Sequence, residues 1–119
     1  MSLNSEFQRI VKRLEALKTD MIEFQKSITA IPALSPVNGG NGEWDKAMFI
    51  KQYLHKHEVT DIQQIDAPDP SAKEGVRPNL IVRLKGKSAE KTIWLMAHMD
   101  VVPEGDLKLW NTNPWEAFV

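Results

Sequence analysis

Apolar residues recur at alternating steps of three and four from Phe7 through Ile10, Leu14, Leu17, Met21, Phe24 and Ile28 to Ile31. That spacing marks one face of an α-helix and predicts an amphipathic helix from Ser5 to about Ala30. Ser5 with Gln8 fits a capping box at its start. Pro32 closes it, because the residue before a proline is driven out of the helical region. Glu6/Arg9, Glu15/Lys18 and Glu23/Lys26 stand at i,i+3 on the polar side, where opposite charges attract. The same stripe would serve as a coiled-coil seam. Val11 and Ile22 broaden it, which favours a helix laid against a sheet.

Residues 31–42 carry two prolines and the run Asn38-Gly39-Gly40-Asn41-Gly42. No strand precedes these glycines and they match no phosphate-cradling pattern, so a connector is predicted. A second helix follows from about Gly42 to Lys56, with Ala47, Ile50 and Leu54 inward. Three strands are then predicted: 59–66, 79–85 and 92–97. Leu80, Val82 and Leu84 alternate with polar neighbours in the second, as a half-buried strand should. Ile93-Trp94-Leu95-Met96 is apolar at every position in the third, as in a strand covered on both faces. Between the first two strands, residues 67–78 are rich in Pro, Asp and Ser and read as an exposed loop. Lys85-Gly86-Lys87-Ser88 is a turn, since the glycine a Walker motif needs upstream is missing. Helices followed by such strands predict an α/β fold with helices on a mixed sheet.

Composition narrows the partners. The 119 residues include 42% hydrophobic and 26% charged residues and carry a net charge of −1, which suits one ordinary globular domain. Acidic and basic residues are interspersed, so nothing draws in nucleic acid or an anionic membrane. No apolar run could span a bilayer and no signal-peptide core stands at the N-terminus. A cytoplasmic protein is the resulting expectation. With no cysteine in the chain, a metal would have to be held by His, Asp and Glu.

The predicted third strand runs into His98-Met99-Asp100. Ligands of open α/β sheets bind at the carboxyl ends of strands. Residues two apart in an extended segment point to the same side. Asp100 could therefore accept one imidazole N–H of His98, fix the tautomer and leave the other nitrogen for a metal. A hydrogen-bonded structural histidine satisfies the same residues, and a metal site needs several convergent ligands. Val101-Val102-Pro103 would hold the pair with a stiff turn.

Other candidates carry less. His55 and His57 lie two apart on a helix and do not face each other; one would cap the helix end and the other meet solvent. Glu58, Asp61, Asp66 and Asp69 lack the glycine and closing glutamate of a calcium loop. Trp110 and Trp115 could line a cleft, but packing is the simpler use of such large rings. Ser35 and Ser71 have no nucleophile-elbow glycines.

Ala97-His98-Met99-Asp100-Val101-Val102-Pro103-Glu104-Gly105-Asp106, with Trp110 and Asn113-Pro114-Trp115 after it, resembles a family signature. It is similar to that of the zinc exopeptidases and deacylases that include acetylornithine deacetylase, succinyl-diaminopimelate desuccinylase, aminoacylase-1 and carboxypeptidase G. Ile31-Pro32-Ala33-Leu34-Ser35-Pro36 and Arg77-Pro78-Asn79-Leu80 resemble further segments of that family, in the same order. Ala97 stands where glycine is common and Trp115 where phenylalanine is frequent.

The resemblance implies that residues 1–119 are the N-terminal part of a two-metal exopeptidase-type catalytic domain. The rest of that domain, and any dimerisation domain, would lie outside these residues. It implies His98 as a metal ligand and Asp100 as the carboxylate behind it. Zinc is the expected ion, two per complete site, with cobalt or manganese as alternatives. The substrate would be a small N-acyl amino acid or short peptide, and the full-length protein a possible homodimer. The bridging aspartate, the base glutamate and the remaining ligands of the family come after this motif, so these residues alone are expected to be inactive. Two other readings remain open: a helical interaction module with a structural His98, and a non-catalytic relative.

Overall fold

A computed structural model describes residues 3–119. In chain order it contains helix α1 (Leu3–Ala16), helix α2 (Lys18–Thr29), helix α3 (Trp44–Lys56), strand β1 (Ile62–Pro68) and strand β2 (Val76–Val82), with short 3₁₀ turns at Pro36–Asn38, Lys73–Gly75 and Leu107–Leu109. The mixed α/β character expected from the patterning is present. No described helix is long and apolar enough to cross a membrane.

The predicted N-terminal helix is two helices, divided at Leu17. There the backbone turns to φ −93° and ψ 0°, and the Leu17 N–H is shared between Arg13 O at 3.2 Å and Leu14 O at 3.1 Å. Such a three-centre bond tightens a turn toward 3₁₀ geometry. The helical ladder resumes with Met21 N–H donating to Leu17 O at 2.9 Å. The start also differs: α1 begins at Leu3, so Ser5 lies inside the first turn and not at the cap. Of the predicted charge pairs, Glu23–Lys26 closes at 3.3 Å.

Packing separates the two halves of the stripe. In α2, Phe24 stacks on α3, with ring centroids 4.4 Å from Tyr53 and 6.1 Å from Phe49. Phe7, Ile10 and Leu14 of α1 remain half-exposed or more, so the sheet contact predicted for this face is not made. Pro32 follows the end of α2 as anticipated, and α3 matches its predicted span.

β1 and β2 form an antiparallel hairpin with Ile62 opposite Val82, Ile65 opposite Asn79 and Pro68 opposite Val76. Both strands reach further toward the turn than the alternation predicted, and the predicted loop 67–78 shrinks to residues 69–75. Asp69 organises that turn: its carboxylate accepts from the Ser71 N–H at 3.1 Å and the Ser71 hydroxyl at 2.5 Å. Ser71 is the main reason the Asp69 carboxyl titrates below its ordinary range, with Arg77 contributing. Glu74 and Gly75 complete the reversal in left-handed conformations. α3 lies against β2 and reaches β1 through Lys51 Nζ, which donates to Gln64 Oε1 at 2.8 Å.

The third predicted strand does not form. Residues 92–97 are irregular, and Ile93 and Leu95 are 88% and 93% exposed. A strand exists only through its ladder and its cover. The sheet of the described residues has only β1 and β2, and nothing lies over the apolar run. The segment nevertheless runs back along β2: Val82 and Leu84 share a groove with Ile93.

The buried apolar residues are small. Ala33 and Ala47 are fully buried and Ala72 nearly so, while no large side chain is completely enclosed. Close backbone approach therefore sets the centre of the fold. At Gly40 a side chain would run into the Leu34 backbone. Gly40→Ala is accordingly expected to destabilise the chain by about 1–3 kcal/mol, the range for overpacking a tight site, read from the urea unfolding midpoint.

Candidate metal centre

His98, Met99 and Asp100 leave the irregular segment just before the chain is caught by the connector after α2. Val101 N–H donates to Ala33 O at 3.1 Å, and Val101 forms a parallel bridge with Leu34. Leu34 O in turn accepts from Gly42 N–H at 2.9 Å, which ties the same connector to the start of α3. β-branched Val101 suits this extended pairing. The result places His98 and Asp100 beside the N-terminus of α3 and the first residues of β2.

His98 and Asp100 lie together, but the Nδ1 hydrogen bond goes to the Asp100 backbone carbonyl and not to the carboxylate that the spacing anticipates. His98 Nδ1 is 2.8 Å from the Asp100 carbonyl oxygen and 3.2 Å from Asp100 Oδ1. Both neighbours are acceptors, so Nδ1 is the donor, and in the neutral ring Nε2 presents its lone pair. The His98 side chain is 83% exposed, leaving Nε2 accessible. A neutral imidazole with one nitrogen held by a carboxylate or, as here, a backbone carbonyl is the form in which histidine binds a metal. In donor type and tautomer the pair fits one position of such a site. Among the described residues, no three His, Asp or Glu side chains converge as a metal-holding group.

A groove of 480 Å³ opens at the pair, walled by Glu43, Arg77, Asn79, Leu95, His98 and Asp100. Its opposite side is a charge cluster. Arg77 Nε donates to Glu43 Oε2 at 2.5 Å, and its second terminal nitrogen donates to Glu43 Oε1, making a bidentate fork. Arg77 Nη1 also reaches Ser35 Oγ at 3.4 Å and Asp69 Oδ2 at 3.6 Å. One guanidinium thus joins the connector, the start of α3, the hairpin turn and β2. The Glu43 side chain is only 7% exposed and that of Arg77 29%, so water screens this pair weakly. The Glu43 hydrogen bond holds the Arg77 guanidinium charged well above its ordinary range.

Lys46, one turn beyond Glu43, is 7% exposed. Burial pushes its ammonium below the ordinary lysine range, and the charge of Asp100 partly opposes that shift.

The remaining candidates lie elsewhere. His57 ends α3 with its ring 4.4 Å from that of Tyr53, and His55 is exposed. Asp61 pairs with Arg83 at 3.5 Å, and Asp66 accepts from Gln64 at 2.8 Å. Trp110 is half-exposed, its Nε1–H donating to Glu104 O at 2.9 Å. Ser35 and Ser71 contact Arg77 and Asp69 rather than any histidine. The Glu43–Arg77 fork and the buried Lys46 were not anticipated from sequence. The partners of the fork stand 34 positions apart, and no local spacing announces such a pair.

The chain is similar to an uncharacterized metallohydrolase of Methanococcus maripaludis, 32% identical over 115 residues, covering 87% of this chain and 26% of that protein. An uncharacterized metallohydrolase of Methanocaldococcus jannaschii is 32% identical over 104 residues, covering 84% of this chain and 25% of the relative. A succinyl-diaminopimelate desuccinylase of Cereibacter sphaeroides is 27% identical over 96 residues, 81% of this chain and 22% of the enzyme. The chain therefore spans about a quarter of the length of the curated relatives it matches. No protein-family model matches it, nor does any solved structure.

Proposed function

We propose, from this kinship with metallohydrolases, that the chain is the N-terminal part of the catalytic domain of a metal-dependent amide hydrolase, and that His98 is one of its metal ligands. The observation that carries the reading is the Asp100 clamp on His98 Nδ1, which leaves Nε2 free at the mouth of a groove. His98 would bind through Nε2. Asp100 would keep the proton on Nδ1 and the ring fixed in plane, which raises the basicity of the ligating nitrogen. The ions expected here are zinc, two per complete site, with cobalt or manganese as alternatives; when bound they lower the pKa of a shared water and polarise a carbonyl. The other ligands and the proton-accepting glutamate would come from sequence outside residues 1–119. The substrates we propose are small N-acyl amino acids or short peptides, cleaved in the cytoplasm by a protein that could act as a homodimer.

The test is a paired assay. The full-length protein, stripped of metal and reloaded with zinc or cobalt, is expected to hydrolyse at least one member of a panel of N-acyl amino acids and dipeptides. The 119-residue chain under the same conditions is expected to show no turnover, because one imidazole cannot replace the three or four protein ligands that a zinc site uses. Turnover by the short chain, or none by the reloaded full-length protein across the panel, overturns the reading.

A further inference from the structure

The apolar face of α1 has no cover among the described residues. Phe7, Ile10 and Leu14 are 60%, 58% and 50% exposed, and among residues 4–16 only Val11 is even partly buried. Ile10 and Leu14 line an open hollow along the helix, with Glu6 and Arg13 at its border. An apolar row rimmed by charge marks a contact surface, and the rim says which partner fits. Phe7 and Leu14 take the first position of a heptad and Ile10 the fourth, so Glu6 and Arg13 both take the last, beside the seam. In an antiparallel pair of identical helices, last positions face last positions. Setting Phe7 against Ile10 of a second copy puts Glu6 opposite Arg13 of that copy, and the two-fold axis repeats the pair. Other arrangements bring like charges together. Sliding by one heptad sets Arg13 against Arg13 and Glu6 against Asp20, and a parallel pair sets Arg13 against Lys18.

We propose that α1 is a self-association surface, pairing antiparallel with α1 of a second copy of this chain about a two-fold axis between the Phe7 and Ile10 layers. Burial of the apolar row supplies the attraction, and the two Glu6–Arg13 pairs fix direction and register. The division at Leu17 ends the seam, because beyond it Phe24 is committed to Tyr53 and Phe49 of α3. The inference deepens the proposed function by giving its homodimer a surface, and rests on that part of it. No metal enters the contact, so association is read apart from hydrolysis.

The experiment uses full-length protein, with its oligomeric state read by sedimentation velocity and its contact by disulfide trapping. Glu6→Cys and Arg13→Cys are made separately, mixed and mildly oxidised, and mass spectrometry identifies the joined peptides. The mixture is expected to form a link from position 6 of one copy to position 13 of another. Neither variant alone should link, because equal positions lie about 10 Å apart along the seam in this register, too far for a disulfide. Ile10→Asp in both copies should cut the yield at least tenfold, since it places a charge in the seam. Circular dichroism checks that this variant keeps its helices, and Ile10→Ser replaces it if it does not. A monomer, a dimer without the 6-to-13 link, or a link that survives the Ile10 substitution overturns the inference: the face is then covered by other parts of the chain, or the copies meet elsewhere. A 13-to-13 link overturns it too, as the slid register. Hydrolysis of the substrate panel is scored separately. Turnover without the link removes the α1 contact and leaves the hydrolase reading standing, and the link without turnover does the reverse.

Discussion

His98→Ala in the full-length protein is expected to lower kcat/KM about a thousandfold, corresponding to about 4 kcal/mol of lost transition-state stabilisation. On the proposed reading, the imidazole Nε2 is the ligating atom, since Nδ1 is engaged by Asp100. Metal analysis should show the variant holding fewer ions per chain, with little change in unfolding midpoint, because the side chain is 83% exposed and supports no packing. The separation of these readouts matters. A structural histidine would lower stability and leave the metal content intact. A non-catalytic relative would show no activity to lose. Equal metal content and equal rate in His98→Ala would remove this residue from the site.

Arg77→Ala should have the largest effect on stability, about 2–3 kcal/mol. Breaking a buried ion pair by removing one partner costs roughly 3–5 kcal/mol, because the other charge is left unpaired. The 29% exposure of the Arg77 side chain moderates that figure. Glu43 would be stranded at 7% exposure, and Ser35 and Asp69 would lose a shared partner. Lys in place of Arg should recover less than half, since an ammonium cannot reproduce the fork. Urea denaturation of the three proteins, with the slope checked for constancy, gives the comparison. A loss below about 0.5 kcal/mol, typical of exposed pairs, would mean the cluster contributes no more than a surface bridge.

Local patterns in the sequence are legible where neighbours in the chain decide the outcome. The span of α3 follows from its apolar positions and the presence of β2 from alternation, while the antiparallel pairing of β1 with β2 does not follow from either. The His98–Asp100 contact follows from two residues sharing a side of an extended segment. Strand ends were displaced because Pro68 and Pro78 belong to the hairpin, although proline ordinarily signals a break. The division at Leu17 was hidden because the three-and-four spacing runs through it without interruption. The run from Ile93 to Met96 shows the limit most clearly. Its composition states what cover the segment requires, but not where that cover comes from. Arg77 and Glu43 show the complementary limit, since a partnership across 34 positions exists only after the chain has folded.

The hydrogen bond from Val101 to Ala33 closes a loop of 68 residues. Closing a loop of that length costs about 4 kcal/mol of chain entropy, several times what one backbone hydrogen bond contributes. That bond cannot hold the loop by itself. It persists because the hairpin, α3 and the Arg77 fork have already shortened the path between its ends. In kinetic terms, the segment carrying His98 is therefore expected to be fastened last during folding and released first, so its placement depends on a scaffold it does not itself help to build.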